Sequence, residues 1–163
     1  MKNRILTLLL SLSLLLLPAC GNGSSSSSAA DADVNVDLSA FYTDTMEKYE
    51  FPNSLELAEG ELLDGYFAGL SEVETEQCLV YLNMMSINNG EIALVQVKNS
   101  ADVDTVKGIL QDHIDYMAEG GAFYPEATEL WSNSSKVVSN GSYIMMVVNP
   151  SCDAIVEDFN ALF

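Results

Sequence analysis

Apolar residues from Leu38 onward switch between helical and strand spacing, and the switches predict the elements. Leu38, Phe41, Tyr42, Met46 and Tyr49 share one helical face, with Asp37 as N-cap and Pro52 as the stop. Leu62, Leu63, Tyr66 and Phe67 form the apolar side of a short second helix over 60–67, ended by Gly69. Ser71 and Glu74 have capping-box spacing, which predicts a short turn before the first strand, expected over 79–88. Asn89-Gly90 signals a hairpin into a second strand over 92–97. A third helix is predicted over 101–117 on the stripe Val103, Val106, Leu110, His113 and Met117, ended by Gly120-Gly121. Pro125 opens a short helix to Trp131. Strands over 136–139 and 143–149 flank Asn140-Gly141. Pro150 starts a last helix with Cys152, Ile155, Val156, Phe159 and Leu162 on one side.

A shift of 51 residues lays the second half on the first. Asn89-Gly90 falls on Asn140-Gly141, Val97 on Val148, Ser100 on Ser151 and Asp102 on Asp153. The order strand, Asn-Gly, strand, helix occurs twice, which predicts two ββα units. The expected fold is α+β: a four-stranded, mainly antiparallel sheet with helices on one face, preceded by two N-terminal helices. Ala93, Val95, Val97, Ile144, Met146 and Val148 share one strand parity and are all apolar, so they mark the helix-covered face. The other parity (Ile92, Leu94, Gln96, Tyr143, Met145, Val147) is mixed. It is either partly open, and then the best partner surface, or covered by the N-terminal helices. The second and fourth strands are the most apolar and belong in the centre.

The first 37 residues read differently. Lys2 and Arg4 precede an apolar stretch, Ile5 to Leu17, too short to span a membrane and suited to a signal-peptide core. Leu17-Pro18-Ala19-Cys20-Gly21 looks like a lipobox, in which the Cys thiol takes a diacylglycerol and the chain is cut before it. Two or three acyl chains then hold the protein at about 0.8 kcal/mol per buried CH₂. Gly21 to Ala30, with serines at 24–28, predicts a flexible spacer that acidic residues continue to Asp37. Asp31, Asp33, Asn35 and Asp37 imitate a calcium loop but lack its Gly (Val36) and its twelfth-position Glu (Tyr42). The expected divisions are a signal peptide at 1–19, lipidated Cys20 with its linker at 20–37, and one domain at 38–163.

Charge narrows the partners. The chain has 6 Lys+Arg against 24 Asp+Glu, a net charge of −18. From Cys20 onward it has 4 basic residues against 24 acidic ones, a net charge of −20, and no Arg. Such a field opposes nucleic acid and anionic membrane surfaces, and no guanidinium clamp is available. Hydrophobic residues at 48% exclude a disordered acidic tail.

The leader ending at Cys20, the serine spacer, the hairpin-helix order and the tail KVVSNGSYIMMVVNPSCDAIVEDFNALF together resemble the small bacterial lipoproteins grouped as domain of unknown function 4358. The likeness covers the whole domain, most clearly 124–163. It implies anchoring through Cys20 and carries no assigned activity, catalytic residue or cofactor.

Candidate chemistry is sparse. His113, the single His, sits on an apolar stripe, where a core residue bonded to backbone is the simplest reading. A nucleophile for it would have to be Cys78 or Cys152. Cys152, in the first turn of the last helix, is either a small hydrophobe or a thiol activated by the helix dipole. A Cys78–Cys152 disulfide depends on strand order, and fails if the second and fourth strands are neighbours. No metal-ligand spacing, P-loop, G-x-S-x-G or dinucleotide fingerprint occurs. The sequence therefore predicts a lipid-anchored, extracytoplasmic, non-enzymatic binding or accessory module at the cell envelope, without metal or cofactor. The alternatives are a small enzyme using carboxylates or a Cys/His pair, and a weak divalent-cation binder.

Overall fold

Two neighbouring strands, β3 (Glu91–Val97) and β5 (Tyr143–Val148), are buried along nearly their whole length and organise the chain. The computed structural model describes residues 35–85 and 90–163. Cys20, the leader, most of the spacer and Asn89 lie outside the described residues. The other elements are α1 (Leu38–Lys48), β1 (Leu55–Leu57), α2 (Glu61–Tyr66), β2 (Thr75–Asn83), α3 (Val103–Tyr116), α4 (Pro125–Asn133), β4 (Ser135–Asn140) and α5 (Cys152–Asn160). All strand pairs are antiparallel, in the order β1-β2-β3-β5-β4.

The α+β class is as expected, with two corrections. The sheet has five strands, not four. β1 pairs with the outer end of β2 through Leu55–Asn83 and Leu57–Tyr81, and three residues are too few to show a period. Helices cover both faces, not one. Ala93, Val95, Val97, Ile144, Met146 and Val148 pack under α3 and α4 against Val106, Leu110, Ile114 and Trp131. Ile92, Leu94, Tyr143, Met145 and Val147 pack under α1 and α5 against Leu38, Phe41, Ile155 and Phe159. The face offered as a partner surface is closed.

The repeat holds in the centre and fails at its edges. Leu94 stands opposite Met145, so the 51-residue shift relates β3 and β5 as a two-fold about that pair. It does not relate β2 to β4. The connection after β2 runs from Met84 to Gly90, whereas β4 and β5 are joined by Gly141 and Ser142 alone, with Asn140 paired to Tyr143. Asn140 is therefore a strand residue, and Gly141, at φ 54°, takes the first turn position. β2 also starts and stops earlier than expected: Thr75 and Gln77 pair with β3 despite their polarity, and the register shifts at Glu76 between them. Ser71 lies inside a 3-10 turn, Leu70–Glu72, and caps no helix. α3 and α5, which the repeat would place on one face, lie on opposite faces.

Side chains fix the start of α1. Asp37 Oδ1 accepts from the Ser39 and Ala40 amides, satisfying two of the orphan donors of a helix N-terminus. Val36 is already buried. Its amide donates to the Tyr143 hydroxyl, and its carbonyl accepts from Gln77 Nε2. Gln77 Oε1 accepts from the Leu38 amide. Thus α1 is tied to β2 and β5 before its apolar face is counted. No helix among the described residues is long and apolar enough to cross a membrane.

Candidate functional site

Parity and periodicity bring one buried ion-pairing couple together. Glu91 opens β3 on the same face as Ala93 and Val95, so its carboxylate points under α3. His113 follows Val106 and Leu110 on the inward stripe of α3. His113 Nε2 lies 3.0 Å from Glu91 Oε2, with side chains 2% and 6% exposed. Three aromatic rings box the imidazole: Phe67 at 4.5 Å, Trp131 edge-on at 5.2 Å and Tyr66 at 6.0 Å. The partner of His113 is thus a carboxylate, not the backbone group expected.

A carboxylate only accepts, so Nε2 is the ring nitrogen that donates to Glu91. Nδ1 has no hydrogen-bond partner among the described residues. No buried side-chain nitrogen or oxygen is left unpaired either, so Nδ1 must touch accessible space. His113 lines a cleft of about 500 Å³ between α2 and α3, with Gly65, Tyr66, Ala68, Ile109, Asp112 and Tyr116. Tyr66 and Tyr116 are 45% and 66% exposed at its walls.

The Cys/His alternative finds no geometry. Neither thiol is hydrogen-bonded to His113. Cys78 packs on the face under α3 and Cys152 on the opposite face, so they form no disulfide. Burial pushes the Cys78 thiol up from its ordinary value. Burial, then the neighbouring Asp153 carboxylate, pushes the Cys152 thiol up, opposite to the direction of activation by the helix dipole. Among the described residues no group of three His, Cys, Asp or Glu could hold a metal ion. Asp37, from the calcium-loop imitation, is engaged as an N-cap.

A second, more open hollow of about 820 Å³ is lined by residues including Lys48, Tyr49, Glu50, Glu126, Leu130 and Asn149. Three of its polar side chains, Lys48, Tyr49 and Asn149, are spent on the fold. Asn149 Nδ2 donates to the Glu50 carbonyl, its Oδ1 accepts from the Ser151 amide, and Lys48 pairs with Asp158. The smaller cleft is the better site because a buried histidine with one ring nitrogen outside any hydrogen bond lines it.

The model of the family described as Domain of unknown function (DUF4358) matches residues 44–149. The chain belongs to this family. In the DUF4358 chain Glu91, His113, Trp131 and every lining residue of the α2–α3 cleft fall inside the matched span. The tail that carries the resemblance in the sequence is matched only to Asn149, and α5 lies beyond it. No curated protein and no solved structure significantly matches the DUF4358 chain.

Glu91 is the residue that the sequence reading misses. Its signal was available: extending the inward parity 93, 95, 97 back one step lands on a carboxylate among apolar positions. A charge there demands a buried partner.

Proposed function

We propose that this DUF4358 chain is a lipid-anchored, extracytoplasmic, non-enzymatic binding or accessory module at the cell envelope, held through Cys20. The observation that carries the reading is the leader: Lys2 and Arg4, an apolar core of signal-peptide length, then Leu17-Pro18-Ala19-Cys20. Among the described residues Val36 is already buried, and in this reading the serine run before it serves as a spacer between lipid and domain. The acidic surface keeps that domain off anionic headgroups. Binding is favoured over catalysis because the one buried titratable couple among the described residues, Glu91 and His113, adjoins through His113 a cleft whose lining holds no thiol and no Ser or Thr hydroxyl.

The test is metabolic labelling with radioactive palmitate in a bacterial host, with fractionation. The full chain is expected to incorporate label and sediment with membranes. Cys20→Ser is expected to lose the label and leave the membrane fraction. Label retained in Cys20→Ser, or an intact mass showing an unmodified start upstream of Cys20, overturns the anchor.

A further inference from the structure

We infer that the cleft between α2 and α3 binds a small organic ammonium ion, caged by Tyr66 and Tyr116 and faced by Asp112. This deepens the binding-module reading by naming a ligand class, and it does not depend on the lipid.

Four observations point the same way. First, the cleft has aromatic walls from two different elements, Tyr66 from α2 and Tyr116 from α3. Tyrosine faces attract cations through the ring quadrupole. Second, Tyr116 is held in place although it is mostly exposed. Its ring lies against the turn Met117–Gly121, where a Cβ on Gly121 would come within 2.6 Å of the ring. The glycine leaves room for the aromatic wall. Third, the ionisable groups lining the cleft are an aspartate, a histidine and two tyrosines. With Glu91 behind His113, no Lys or Arg offsets the carboxylates. An anionic ligand would meet like charge, whereas a cation meets Asp112 directly. Fourth, His113 lines the cleft on a ring oriented by the Glu91 hydrogen bond, and its Nδ1 has no hydrogen-bond partner among the described residues. In the neutral ring this nitrogen accepts from a hydroxyl or N–H on the same ligand. Ala68 and Ile109 supply an apolar floor for methyl or methylene groups.

Ile109, Asp112, His113 and Tyr116 follow one another at helical i+3, i+4 and i+7 spacing. A single face of α3 therefore supplies floor, counter-charge, acceptor and wall. Assembled this way, the site needs no change in the sheet and leaves the core beneath it intact.

The experiment compares choline with 3,3-dimethylbutan-1-ol, which has the same shape and hydroxyl but no charge. Both are titrated against the full chain in a non-ionic, choline-free detergent. Equilibrium dialysis with radiolabelled ligand measures binding, and the fluorescence of Trp131, edge-on to His113, locates it. Choline is expected to saturate in the millimolar range and to change Trp131 emission. The uncharged analogue is expected to bind about tenfold more weakly. Tyr66→Ala, Tyr116→Ala and Asp112→Asn are each expected to weaken choline about threefold, with urea midpoints unchanged. The tyrosine variants keep the net charge, so their loss separates the cleft from general attraction to an acidic surface. Equal binding of both ligands, no saturable choline binding, binding unaffected by the tyrosine variants, or preference for methyl glucoside over choline overturns the proposal. Choline binding that persists in an unlabelled chain fails the anchor alone. A labelled chain that ignores choline fails the ligand assignment alone.

Discussion

Glu91 and His113 are separated by 22 positions in the chain and by one hydrogen bond in the fold. Their side chains have almost no contact with water, so each depends on the other to satisfy a group that burial has stripped of solvent. His113→Ala removes the nearer partner of a buried carboxylate, leaving only the longer bond from the Asn83 amide, and opens a void beside Phe67 and Trp131. It is expected to cost about 3 kcal/mol in urea unfolding. Glu91→Gln keeps an acceptor for Nε2–H and the side-chain volume, and is expected to cost about 1 kcal/mol. A His113→Ala chain as stable as the parent would show that the pair contributes nothing net. The inward direction of His113 is legible from its stripe. Its partner is legible only if parity is read one residue past the apolar run, where Glu91 looks like a loop carboxylate.

Elements were read best where local signals agree. Asp37 as N-cap, Pro125 at the first turn of α4 and the amphipathic stripes of α1, α3 and α5 all match. Asp37→Ala frees the Ser39 and Ala40 amides and is expected to cost about 1 kcal/mol in thermal or urea unfolding. Asp37→Asn, which retains the acceptor, is expected to recover most of it. Elements were misread where the deciding partner is distant. Thr75, Glu76 and Gln77 are strand residues because β3 lies alongside them. Leu55–Leu57 is a strand because Tyr81–Asn83 offers an edge. Asn-Gly predicts a turn in both halves, but strand register sets the loop, and it shifts the second turn to Gly141 and Ser142.

At the scale of the whole molecule, α1 and α5 close the second face and are bridged at their rim. Lys48 Nζ lies 2.6 Å from Asp158 Oδ2, and the Tyr49 hydroxyl donates to the same oxygen at 2.7 Å. The Lys48 hydrogen bond, then that of Tyr49, holds the Asp158 carboxyl below its ordinary value. The same bond raises the Lys48 ammonium. A carboxyl depressed in the folded state stabilises above its unfolded pKa, about 3.9. That contribution is lost as pH falls through the lower folded value. Asp158→Asn is expected to lower the urea midpoint slightly at neutral pH, because the cluster is largely solvated. The two proteins are expected to converge on acidification below about pH 3.9. A gap that persists unchanged into acid would assign the effect to packing.

The sequence by itself determined the α+β class, the inward face of the two central strands, the helix stripes and the family. The first three follow from periods of two and 3.6 and from short-range caps, which need no knowledge of what lies opposite, and the family follows from the resemblance. The proposal of a leader ending at Cys20 rests on the sequence alone. Tertiary structure alone decided that α5 covers the face opposite α3, that a fifth strand adds to β2, and that the thiols lie on opposite sides of the sheet. It alone joined Glu91 to His113 beneath a tyrosine-walled cleft. A stripe tells a helix which side to bury. The face of the sheet it buries against is set by how the connections and neighbouring side chains fill space, and no local period carries that information.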